Sequence, residues 1–100
     1  MKKILLLCSA GMSTSLLVTK MNSVAKEKGI ELEIFALPVG EASTVIDEVD
    51  IVLLGPQVRF QKGLVDNLVK GRIPVEVIEM RDYGTMNGKA VLERALEIMN

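Results

Sequence analysis

The chain contains one cysteine, Cys8, and no histidine. Cys8 closes an aliphatic run, Ile4-Leu5-Leu6-Leu7, and precedes a loop of mostly small and hydroxylated residues, Ser9-Ala10-Gly11-Met12-Ser13-Thr14-Ser15. An amphipathic pattern begins after it. That order is the one expected of a strand, a tight loop and a helix N-terminus. A thiol at such a junction lies beside backbone N–H groups and the positive end of a helix dipole. The thiolate is the nucleophilic form of cysteine. A loop with several hydroxyls and a glycine can wrap a tetrahedral anion with its N–H groups pointing inward. The same donors would stabilise charge developing on a phosphoryl group in transfer. Nucleophile and anion cradle thus fall in one short segment. A purely packing role is equally open from spacing alone, because free cysteines are among the most buried residues.

The composition limits what else the chain can do. A length of 100 residues suits a single domain, spanning residues 1–100, and 49% hydrophobic residues supply a core. Aromatics make up only 3%, so that core is aliphatic. A net charge of −1 without a basic run argues against nucleic acid as a partner. One cysteine and no histidine leave no ordinary donor set for a structural metal, so none is expected, and no cofactor motif stands out. No apolar stretch reaches the roughly 18–20 residues of a membrane span. Lys2-Lys3 and the run after them are too short for a signal peptide. A cytoplasmic location is expected, where a lone thiol stays reduced.

The elements that must position Cys8 read as follows. Lys3 to Leu7 is a strand buried on both faces. A helix begins near Ser13, with Leu17, Met21, Val24 and Ala25 on one side and Gly29 at its end. Ile30 to Leu37 alternates as an edge strand does. Gly40 to Glu48 is expected as a short helix and Asp50 to Leu54 as a second fully apolar strand, stopped by Gly55-Pro56. Arg59 to Lys70 is expected as a helix with Leu64, Val65, Leu68 and Val69 inward. Ile73 to Ile78 is a strand, Arg81 to Thr85 a loop, and Asn87 to Met99 a final helix. This βαβαβαβα order predicts an α/β fold: a four-stranded parallel sheet in the order 2-1-3-4, with helices on both faces. In such sheets ligands sit at the carboxyl ends of the strands where the order reverses. Here that is between the first and third strands, where Cys8 meets Gly55-Pro56-Gln57.

Several enzyme motifs fail residue by residue. A dithiol site needs a second cysteine at position 11, which is glycine. Gly84 to Ala90 approaches a Walker A loop but is one residue short and lacks the Ser/Thr. Low-molecular-weight tyrosine phosphatases carry Cys-x5-Arg-Ser/Thr after the first strand of a similar fold, and Asp82-Tyr83-Gly84 resembles their late acidic loop, with Asp82 in the place of the acid. Here the arginine position is Thr14, which cannot supply a two-pronged positive charge. A free-standing cysteine phosphatase and a non-catalytic anion-binding module therefore stand as alternatives to a phosphoryl carrier.

Cys8 to Leu17, Val52-Leu53-Leu54-Gly55-Pro56-Gln57-Val58, Val75 to Ile78 and Tyr83-Gly84 together resemble the IIB component of the lactose/cellobiose (chitobiose) family of the bacterial sugar phosphotransferase system. The resemblance runs the length of the chain. It implies a flavodoxin-like, phosphatase-like fold and a phosphotransferase that works through its cysteine. Cys8 would accept a phosphoryl group from a phosphohistidine of the IIA protein and pass it to a β-linked disaccharide taken up through the membrane protein IIC. Ser9, Ala10, Gly11, Met12, Ser13, Thr14 and Ser15 would then hold the phosphate. Gln57, Val58, Arg59, Asp82 and Tyr83 are candidate rim or partner contacts, with ordinary packing or solvated roles open for Arg59, Asp82 and Tyr83. The chain alone is expected to be monomeric, meeting the inner face of the membrane transiently through IIC.

Overall fold

The computed structural model describes residues 1–8 and 12–99, with the side chains of Met12 and Ser13 left aside. Its elements are β1 (Lys2–Cys8), α1 (Met12–Glu27), β2 (Leu32–Pro38), a 3-10 turn (Val39–Thr44), β3 (Ile51–Leu54), a second 3-10 segment (Pro56–Gln61), α2 (Lys62–Val69), β4 (Val75–Val77), α3 (Met80–Gly84) and α4 (Gly88–Met99). The four strands form one parallel sheet in the order β2-β1-β3-β4. The order expected from the sequence is therefore the observed one.

Side chains alternate across a strand, so Ile4 and Leu6 of β1 point to one face while Leu5 and Leu7 point to the other. Both faces are covered, which is why β1 and β3 read as unbroken apolar runs rather than as alternating ones. Ile4, Leu6, Ile51 and Leu53 pack with Leu17, Met21 and Ala25 of α1 and Leu92 and Ala95 of α4. Leu5, Leu7, Val52 and Leu54 pack with Ala42, Ile46, Val58, Val65 and Val69. β2 lies at the sheet edge, with Ile34 buried and Glu33 exposed.

Four local expectations are corrected. The segment Gly40 to Glu48 is not a helix throughout: it makes a 3-10 turn over Val39–Thr44 and then irregular turns. Its apolar residues Ala42, Ile46 and Val49 still reach the core, and β-branched residues and a glycine give the backbone little reason to propagate an α-helix. The helix after β3 begins as a 3-10 turn, and its inward side is Val58, Val65 and Val69, while Leu64 is 54% exposed and Leu68 half-buried. Two adjacent i, i+4 stripes compete there, and the one in register with Val58 is buried. β4 is confined to Val75–Val77 because Pro74 has no N–H for the ladder, although its carbonyl still accepts from Val52 N–H at 3.1 Å. Arg81 to Thr85 lies largely within a helix, α3, rather than a loop.

The stretch Gly84 to Ala90, which approaches a Walker A loop in sequence, runs from the last residue of α3 into the start of α4. Asn87 Oδ1 accepts from Ala90 N–H at 3.1 Å and caps the helix. Gly88 sits so close to α1 that a Cβ there would fall 2.8 Å from the Lys20 carbonyl carbon. Among the described residues no helix is long and apolar enough to cross a membrane.

Candidate functional site

Cys8 is the last residue of β1 and lies opposite Pro38 of β2. On its other side β3 ends at Leu54, and Gly55 N–H donates to the Leu7 carbonyl at 2.9 Å. This hydrogen bond carries the β1–β3 pairing one step past the strand and ties the Gly55-Pro56-Gln57 turn to the residue before the thiol. Ile78 N–H donates to the Leu54 carbonyl at 2.8 Å and extends β4 in the same way. The carboxyl ends of three strands are thereby held together at the point where the strand order reverses, and Cys8 stands at that point. It is 2% exposed. Burial alone would also suit a packing cysteine; its place at the switch point is what distinguishes it.

Of the loop expected to hold an anion, Ser9, Ala10 and Gly11 lie outside the described residues. Met12 and Ser13 open α1, a helix of 16 residues with no acidic side chain in its first turn. The first-turn N–H groups of such a helix have no intrahelical acceptor and favour negative charge nearby. Ser15 is exposed on that turn, and its carbonyl accepts from the Thr19 hydroxyl at 3.1 Å. Thr14 is fully buried. Its hydroxyl meets the Tyr83 hydroxyl at 3.2 Å.

The residues singled out around the thiol divide in two. Gln57, Arg59 and Tyr83 line one cleft with Pro56, Met80 and Gly84, of about 220 Å³. Val58 does not reach the surface: it is 1% exposed and packs in the core with Val65 and Leu54. Gly55 starts the 3-10 turn by accepting from Val58 N–H at 3.0 Å, and that turn rotates Val58 inward while leaving Gln57 exposed. Tyr83 is likewise no open rim residue. It is 7% exposed, and its ring lies 3.7 Å from where a Cβ on Gly55 would stand. The packing alternative holds for its ring, but its hydroxyl is on Thr14 rather than in water. Arg59 is exposed and folds back to donate from Nη1 to the Pro56 carbonyl at 2.9 Å. Asp82 is half-buried in the first turn of α3.

Met80, 67% exposed on this cleft, was missed from sequence. Its signal was available: a lone apolar residue between Glu79 and Arg81, just past a strand end. The larger cavity, about 470 Å³ and lined by Met1, Ala25, Gly29 and Leu32 among others, lies at the opposite end of the sheet from Cys8. Among the described residues, no three carboxylate or thiol side chains gather as a metal site would require.

The sequence profile described as "PTS system, Lactose/Cellobiose specific IIB subunit" matches residues 3–94. The chain belongs to that family. An oligo-beta-mannoside-specific EIIB component from Bacillus subtilis (strain 168) is 49% identical over 100 residues, covering 99% of this chain and 97% of the relative. A galactose-specific EIIB component from Lactococcus lactis subsp. cremoris (strain MG1363) is 47% identical over 105 residues, with the same coverage of both. The solution structure of a cellobiose-specific phosphotransferase IIB component from Borrelia burgdorferi superposes with a TM-score of 0.82 at 46% identity, over 99% of this chain and 92% of that one. IIB components of this system are phosphotransferases that act with a IIA and a IIC component in moving a phosphoryl group to sugar. This IIB chain holds its single cysteine at the switch point of the fold that these proteins share.

Proposed function

We propose that this IIB chain carries its phosphoryl group on Cys8 Sγ. The observation that carries the proposal is the placement of the chain's sole cysteine at the end of β1, four residues before the N-terminus of α1 and beside the Gly55 turn. The Cys8 thiolate attacks the phosphorus of a phosphohistidine on IIA. The S–P bond forms as the N–P bond breaks, and the electron pair returns to the imidazole. In the second transfer a hydroxyl of a β-linked disaccharide held by IIC attacks the same phosphorus. The O–P bond forms, the S–P bond breaks, and the leaving thiolate takes up the proton that the sugar hydroxyl gives up. The chain has no histidine, so the phosphohistidine belongs to another chain. Both steps rest on positioning and on charge stabilisation of the transferring group.

Backbone N–H groups of residues 9–15 and the hydroxyls of Ser9, Ser13 and Ser15 hold the phosphate in this reading, with the Thr14 hydroxyl turned to Tyr83 and with Gln57 and Met80 on the partner-facing rim. No arginine stands at the sixth position after Cys8. Thr14 does, and it is buried. The site thus lacks the guanidinium with which a cysteine phosphatase drives transfer to water. This favours a phosphocysteine that persists until IIC supplies its acceptor. The protein acts as a cytoplasmic monomer that visits the inner face of the membrane through IIC. Relatives named for an oligo-beta-mannoside and for galactose stand at nearly the same identity to this chain. The choice of sugar accordingly resides outside this chain.

The test is intact mass after incubation with phosphorylated IIA. One phosphoryl group is expected on the wild type and none on Cys8→Ser. Equal phosphorylation of both proteins would remove Cys8 from the mechanism. Turnover of an aryl phosphate by the isolated chain, abolished by Cys8→Ser, would instead establish a phosphatase.

A further inference from the structure

We propose that Tyr83 is a positioning residue for phosphoryl transfer, acting through Thr14 on the first turn of α1. This rests on Cys8 being the phosphoryl carrier and extends that reading to the β4 end of the sheet.

Among the described residues Thr14 is the one buried polar side chain of the core, and it is fully buried. A hydroxyl in such a place is costly unless it is paired. Its partner is the Tyr83 hydroxyl at 3.2 Å, from a residue 69 positions away. Tyr83 is itself well anchored. Its N–H donates to the Glu79 carbonyl at 3.0 Å, and its carbonyl accepts from Met86 N–H at 3.1 Å. Its ring packs beside Gly55, whose N–H is bonded to the carbonyl preceding Cys8. One side chain therefore joins the turn after β3 to the start of α1, and the Gly55 N–H carries that link on to the end of β1. Packing alone does not require this arrangement. A buried hydrogen-bonded pair replaced by apolar groups of the same shape leaves stability nearly unchanged. The hydroxyls fix direction, holding the first turn of α1 at one angle to the strand end that carries the thiol.

That distinction supplies the experiment. The variants are Tyr83→Phe, Thr14→Val, Thr14→Ser and the double variant Tyr83→Phe/Thr14→Val. Each is measured for thermal midpoint and for the single-turnover rate of phosphoryl uptake from phosphorylated IIA across IIA concentrations, with kcat taken as the rate at saturating IIA and KM as the IIA concentration at half that rate. Tyr83→Phe and Thr14→Val are expected to lose about tenfold in kcat, with KM for IIA little changed, as misplacement of a reacting group does. The double variant is expected to regain the thermal midpoint while staying slow, which a merely structural pair would not do. Thr14→Ser is expected to recover most of the rate lost in Thr14→Val. Wild-type kcat in Tyr83→Phe, or in a refolded and stable double variant, would overturn the proposal. So would a Thr14→Ser protein as slow as Thr14→Val. A wild-type chain that takes no phosphoryl group would overturn the Cys8 reading itself, and is told apart because it involves no variant.

Discussion

At the scale of single residues, the closest steric constraint lies away from the thiol. Gly88 opens α4 against α1, and a Cβ there would meet the Lys20 carbonyl carbon and Cβ at 2.8 Å and Met21 N at 2.9 Å. Two of those three contacts are backbone, so they cannot swing aside. Gly88→Ala is therefore expected to destabilise by about 1–3 kcal/mol despite alanine's better helix propensity. The midpoint of urea unfolding measures it, and an unchanged midpoint would mean that the helices separate freely. Cys8 itself was legible in the sequence because it is the only thiol and ends an apolar run before a hydroxyl-rich loop. The Thr14–Tyr83 pair was not legible, since no local pattern links residues so far apart in the chain. Val58 was misread for a related reason. Its neighbours Gln57 and Arg59 are polar, and only the 3-10 turn begun at Gly55 decides which of the three faces inward.

At the scale of elements, the sequence resolved the parallel sheet well and the connections less well. Unbroken aliphatic runs mark β1 and β3 because a strand covered on both faces has no polar side to show. The third connection carried two apolar stripes, and burial chose one. Val65→Ala is expected to cost about 2 kcal/mol, through lost transfer energy and a residual cavity. Leu64→Gln, on the exposed stripe, is expected to fall within about 0.5 kcal/mol of wild type. Chemical denaturation of both variants checks this, and equal costs would mean that both stripes are buried in solution. The short helix α3 escaped notice because five residues span little more than one turn, too few for a period to show. What declares it is tertiary: Tyr83 turned inward toward Thr14 and Gly55.

At the scale of the whole molecule, the site is assembled from three strand ends rather than from one loop. The Leu7–Gly55 and Leu54–Ile78 hydrogen bonds and the Thr14–Tyr83 pair join these ends into one frame. On the proposed mechanism, a dianion on Cys8 would gain several charge-assisted hydrogen bonds from the loop that follows it. Amide exchange is expected to slow in residues 9–15 on phosphorylation, and through the frame in 55–57 and 80–84 as well. Slowing confined to 9–15 would show that the loop acts alone, and no slowing anywhere would count against the cradle. The two-faced core explains how 100 residues keep such a frame rigid with almost no aromatic side chains. Both faces of β1 and β3 are filled with aliphatic groups, and α1 and α4 close together at Gly88.

Tyr83 has one more consequence. The chain holds a single tyrosine and no tryptophan. Its near-ultraviolet absorption and fluorescence therefore come almost wholly from the residue wedged between Thr14 and Gly55. The protein's dominant near-ultraviolet chromophore thus lies against Gly55 and Thr14, beside the strand end that carries Cys8. On the proposed mechanism, loading of Cys8 with a phosphoryl group is expected to change the tyrosine fluorescence of the unlabelled chain, and an unchanged spectrum on loading would mean that Tyr83 does not sense the site.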